Sequence, residues 1–177
     1  VLAFGALGIA AENVSEPATI QATAIPLFPG NPAMRRTGAL LYRGGLTLKS
    51  GNRAFGGWSD LAVSADGGEL LAISDEAHWL RARLSYDDNG DLAGVSDGEI
   101  APMLNMQGRP MQGKEGDAEG MTLERPNDLH GTVAVSFERD VRIGRYDLRH
   151  GLDAKLGNDP AGNWVKPLPD IQQPERL

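Results

Sequence analysis

Carboxylates stand in pairs at the points where this chain passes between apolar runs. Gly116-Asp117-Ala118-Glu119-Gly120 is the sharpest case. On an extended segment, two acids two residues apart point to the same side, and the flanking glycines allow close backbone approach and sharp turns. Such a pair can grip one cation or share one proton. Asp60 precedes an apolar run, Asp75-Glu76 follow one, and Glu138 follows another, with Arg139 next to it. Carboxylates gathered at one place repel one another unless a cation or a proton intervenes. Hard oxygen ligands of this kind suit Ca²⁺ or Mg²⁺, and they can also serve as general acid and base. The expected metal set is Asp60, Asp75, Glu76, Asp117 and Glu119, and the expected catalytic set is Asp117, Glu119 and Glu138. Arg139 and His78 are expected to face substrate. For each acid taken singly the competing reading is a turn or a solvated loop end.

Other chemistry is disfavoured. The chain has no cysteine, which excludes disulfides, thiolate catalysis and Cys-based zinc sites. His78, His130 and His150 are far apart and lack HExxH spacing. Gly57-Trp58-Ser59-Asp60-Leu61 misses the nucleophile elbow at its last position. Asp87–Asp91 (DDNGD) fails as a calcium loop, because Leu92 stands where glycine is needed and Gly98 where glutamate is needed. It reads as a hairpin turn. Arg81 and Arg83 alternate onto one face, which is expected to be wet. Net charge is −7 and the isoelectric point about 4.9, so the basic footprint of a nucleic-acid binder is missing.

The elements that must position these acids come as a repeat. Leu71-Ala72-Ile73-Ser74-Asp75-Glu76 lines up with Val133-Ala134-Val135-Ser136-Phe137-Glu138, and Leu84 with Tyr146, at one offset of 62. This alignment pairs Glu76 with Glu138. Each copy holds three short apolar runs split by turn residues, such as Ala65-Asp66-Gly67-Gly68, a tight hairpin signal. A period near 60 built of strands points to blades of a β-propeller. With 23 Gly and 11 Pro among 177 residues, and with no capped 3.6-residue stripe, the expected fold is all-β. It is a partial propeller of about two to three antiparallel blades.

Leu70–Ser74 is apolar throughout, as a strand buried on both faces should be. Trp79–Ser85 alternates and is expected to be half exposed. Leu92–Val95 begins a fourth strand, 96–116 is expected to be a long connection, and a further strand is expected from Trp164 to Leu168. Residues 1–21 read as the remnant of a secretory signal and a linker, since VLAFGALGIAA turns abruptly polar. The run is too short to span a bilayer, so no integral membrane span is expected. Residues 22–177 read as one propeller domain that stops short of the blades a ring needs. Open sheet edges would then invite self-association.

These residues resemble a known family. FGGWSDLAVSADGGELLAISDEAHWLRARL, then GDAEGMTL, then GTVAVSFERDVRIGRYDL is similar to the bacterial phytase-like propeller domain, labelled "esterase-like activity of phytase". The shared pieces are Phe55-Gly56-Gly57, Ser59, Leu61, Ser74-Asp75, Asp117-Ala118-Glu119-Gly120, and Ser136 with Glu138, over about residues 40–177. The resemblance implies a periplasmic or secreted propeller with clustered acids and phosphoesterase or esterase chemistry on a small-molecule substrate; Ca²⁺ is the cofactor expected from the acids themselves. Two other readings compete: a non-catalytic propeller that binds a ligand or a protein, and an inactive fragment.

Overall fold

The computed structural model describes residues 15–157. The apolar start of the chain and the strand expected from Trp164 lie outside the described residues. Within them the protein is all-β. The strands are β1 (Glu16–Ala18), β2 (Ile20–Ala24), β3 (Arg36–Thr37), β4 (Leu40–Leu41), β5 (Leu46–Ser50), β6 (Trp58–Val63), β7 (Glu69–Ser74), β8 (His78–Tyr86), β9 (Leu92–Pro102), β10 (Ala118–Leu123), β11 (Thr132–Phe137) and β12 (Arg142–Asp147). Only short 3-10 turns, Gly113–Gly116 and Leu148–His150, interrupt the pattern. The larger sheet has the order β1-β9-β8-β7-β6, and a second has β10-β11-β12. Two small sheets pair β2 with β5 and β3 with β4, and every pairing between strands is antiparallel.

Burial follows from where each strand sits. β7 is central and covered on both sides, so all its apolar residues are buried. Leu71 and Ile73 face the second sheet and pack with Trp79, Val133, Val135 and Tyr146. Leu70 and Ala72 face the other way, into a second core with Ala18, Leu80 and Ile100, flanked by Phe55 and Trp58. β11 has one covered side: Val133, Val135 and Phe137 are buried while Ser136 is exposed. Trp79 meets Tyr146 edge-on, with ring centroids 5.2 Å apart, at the centre of the inter-sheet core. Each large side chain buried there contributes about 1.5–3 kcal/mol.

Two polar brackets fasten the sheets. Met121 N donates to Asp60 Oδ2 at 2.8 Å, joining β10 to β6. The buried Arg81 guanidinium donates to the Leu129 carbonyl at 3.1 Å. Arg81 is therefore not on a wet face. The slip in the β8–β9 ladder puts its extra residue on β9, so Arg81 and Arg83 stay on one face of β8, the face of Leu71 that the second sheet covers. The cover reaches Arg81, while Arg83, nearer the strand's end, is exposed.

Two further expectations are corrected. The fourth strand does not give way to a loop at Ser96. β9 runs on to Pro102, absorbing Asp97 at a positive φ of 49° beside the same slip. The repeat does not keep one offset. Leu70 opposes Val63 as Val133 opposes Leu123, and Ser74 opposes Trp58 as Phe137 opposes Ala118. Leu70, not Leu71, thus occupies the place of Val133, and Ala82, not Leu84, the place of Tyr146. A one-residue slip exchanges the two faces of a strand, so the constant-offset alignment matches core positions on β7 with the wrong side of β11.

The candidate carboxylate site

The acids gather at one end of the two large sheets, where β7 and β11 finish and β6 and β10 begin. At this end an edge strand of each sheet carries a bulge. Between Trp58 and Asp60 on β6, and between Ala118 and Gly120 on β10, one extra residue is inserted. The extra residues are Ser59 and Glu119. A bulge frees its residue from strict alternation and re-aims the side chain. Just beyond the ladder, Glu138 N donates to the Asp117 carbonyl at 2.9 Å, and Asp75 N to the Gly57 carbonyl at 2.9 Å. These bonds set Asp117 beside Glu138, and Asp75 beside Gly57. By register, then, the counterpart of Glu138 is Asp75 rather than Glu76.

Asp117, Glu119 and Glu138 each offer a carboxylate oxygen, and these oxygens all lie within 4.8 Å of one another. Partial loss of water, followed by repulsion from Glu138, Asp117 and Asp75, raises the Glu119 carboxyl above its ordinary range. The repulsion places Asp75 close enough to belong to the same negative field. Arg139 Nε stands 2.6 Å from Asp117 Oδ2. The three carboxylates can together hold a cation.

Beside them opens a cleft of about 530 Å³, lined among others by Asp75, Glu76, His78, Met111, Asp117 and Arg139. Ser74 Oγ accepts from His78 N at 3.0 Å, which fixes the start of β8 at the cleft wall. The His78 ring is held neutral further down the pH scale than usual, because burial outweighs the attraction of Glu76. Its Nδ1 is buried with no hydrogen-bond partner among the described residues.

The opposite wall is the segment from Pro110 to Gly116. Sequence reasoning singled it out only as part of a long connection, and its Pro and Gly density was the available signal. Arg142 secures it from below. The guanidinium lies over the Phe137 ring at 3.7 Å, donates to the Glu115 carbonyl, and reaches Met111 Sδ at 3.4 Å. Gly116 is needed for close approach, since a Cβ there would sit 2.8 Å from the Ala77 Cβ.

Each expected site residue can now be placed. Asp117, Glu119 and Glu138 converge. Asp75, Glu76, His78 and Arg139 line the adjoining cleft. Asp60 lies outside the three-oxygen cluster, with its carboxylate engaged by the backbone N–H groups of Leu61 and Met121. DDNGD is a hairpin turn, where Asp87 Oδ1 accepts from Asn89 N and Asp91 N, both at 2.9 Å.

Among comparisons with known proteins, a family model described as "Phytase-like: Esterase-like activity of phytase" matches residues 53–167. Comparison with curated proteins and with solved structures returns no match.

Proposed function

The chain belongs to the phytase-like family, and from that premise we propose that it is a metal-dependent hydrolase of phosphoester or ester substrates, working in the periplasm or outside the cell. The observation that carries this reading is the convergence of Asp117, Glu119 and Glu138 at the rim of a cleft that also holds Arg139 and His78. The two larger sheets are read as successive blades of a propeller, with the site on the shared end of both. The apolar run at residues 1–11 supports export.

The donor set fits a hard divalent cation such as Ca²⁺. It consists of carboxylate oxygens alone, with neither sulfur nor imidazole among them. The Glu119 carboxyl is raised by partial loss of water and then by repulsion from its neighbours, and such a cation would relieve the repulsion. Asp117, Glu119 and Glu138 would hold the ion, with Asp75 adding to the field. The ion would supply polarisation of a substrate oxygen and neutralise developing charge. The rest falls to the chain's own residues. A carboxylate oxygen of the cluster that the ion leaves free is suited to take or give a proton. Arg139 offers a planar donor pair for an anionic group. His78, neutral at pH 7, lines the cleft without adding charge.

The test is thermal unfolding of the protein in Ca²⁺ against an EDTA control. A site present only in the folded state must raise the melting temperature with ligand concentration. The expected result is a rise that Glu119→Gln abolishes, followed by turnover of a phosphoester or ester panel. A cooperative transition that ignores Ca²⁺ would sink the metal mechanism. A Ca²⁺ shift without turnover would favour a binding module.

A further inference from the structure

Arg139 sits in the turn after β11, directly behind Glu138, and its charge is spent within the cluster. Asp117 is 13% exposed and Arg139 65%. Asp117 Oδ2 is closed to water and receives no hydrogen bond, so the guanidinium at 2.6 Å is what offsets its charge. Among the described residues, ion pairs reach Asp117 alone of the three acids. The cluster therefore has one position that is already neutralised and two that are not.

We propose that Arg139 is the resident counter-ion of the carboxylate cluster, which a divalent cation must displace from Asp117 in order to bind. This rests on the reading of the cluster as a cation site. The argument is one of charge and reach. An arriving cation and the guanidinium cannot both sit against Asp117 Oδ2, because like charges within a few ångströms repel strongly where water is scarce. A doubly charged ion that also touches Glu119 and Glu138 outcompetes a single charge that touches Asp117 only. Release costs little, since the Arg139 side chain is mostly in water. Arg139 also lines the cleft, so the displaced guanidinium remains at the wall where an anionic substrate group would lie. The ion pair thereby sets how tightly the site holds its cation.

Calcium binding by titration calorimetry on the full chain tests this, comparing the parent with Arg139→Gln and Arg139→Lys. Removing the charge is expected to tighten Ca²⁺ binding about two- to fivefold, the factor that an exposed ion pair is worth. Arg139→Lys, which keeps the charge, is expected to stay near the parent. Equal or weaker binding in Arg139→Gln would overturn the proposal, and so would the same tightening in both variants. If parent and variants alike fail to bind Ca²⁺, the cation reading itself falls and takes this inference with it. If the parent alone fails and Arg139→Gln binds, both are supported.

Discussion

At the start of β6 the chain reads Gly57, Trp58, Ser59, and at the structurally matching start of β10 it reads Asp117, Ala118, Glu119. The ladder is the same in both places, with one bulge and a carbonyl that accepts from the residue after the neighbouring strand, though Gly57 has a φ of 60° where Asp117 has −73°. The first sheet uses the position for packing. Trp58 meets Phe55 edge-on at 5.3 Å. Gly57, at a φ of 60°, leaves room for Asp75, whose Oδ1 would collide with any Cβ there. The second sheet fills the same geometry with acid, and Asp75 finds its counterpart in the longer Glu138. One scaffold, used twice, is a packing edge in one copy and a charged rim in the other. The difference lies in the side chains and in the φ of the first residue, while the ladder that carries them is kept.

The largest test asks whether the two sheets are one cooperative unit. Trp79→Ala removes the ring at the centre of their shared core and is expected to cost about 3–5 kcal/mol in urea unfolding. A smaller loss, below about 1 kcal/mol, would mean that each sheet stands without the other. Next is the bracket. Asp60→Ala strips the acceptor from Met121 N and is expected to cost about 1.5–3 kcal/mol, the range for a hydrogen bond to a charged group. It should leave the Ca²⁺-induced rise in melting temperature intact. Loss of that rise would move Asp60 from bracket to ligand and blur the contrast between the sheets.

Glu119→Gln sharpens the contrast through its sign. The folded-state pKa of Glu119 lies above its unfolded value, so the folded form binds the proton more tightly. That contribution is favourable at low pH and is lost as pH rises through the folded pKa. In EDTA at pH 7 the variant should therefore melt slightly above the parent, and the gap should close below about pH 4, where the parent's Glu119 carboxyl is mostly neutral folded and unfolded alike. In Ca²⁺ the order should reverse. Equal melting in EDTA at both pH values would mean that the cluster is too well solvated to repel.

The smallest effect concerns His78. Burial lowers its folded pKa below the ordinary 6.5. The stability it gives is present above that value and is lost as pH falls through the folded pKa. His78→Gln should flatten the slope of melting temperature between pH 5 and about 6.5. An unchanged slope would assign it to another group.

Much of this was open to reading along the chain. Glycine-flanked acids mark Asp117 and Glu119, because spacing on an extended segment is local geometry. Apolar β7 and the Asp66-Gly67 turn announce an all-β chain for the same reason. The repeat itself was visible, but its register was not. The turn from β10 to β11 is longer than that from β6 to β7, so the match shifts where a constant offset cannot follow. That shift hid Asp75 as the partner of Glu138 and offered Glu76 instead. Arg81 was misjudged because the face it shares with Arg83 is covered at Arg81 by the second sheet, which alternation along one strand cannot show.

The sequence by itself determined the strands, the turns and which acids could act together, since each depends on neighbours a few residues away. Only the tertiary structure decided that Asp60 bonds a neighbouring strand, that Arg81 is buried under a distant loop, and that Arg139 answers the charge of Asp117. Those outcomes depend on which strand opposes which, and hydrogen-bond register between sequence-distant segments is fixed by the packing of both faces at once.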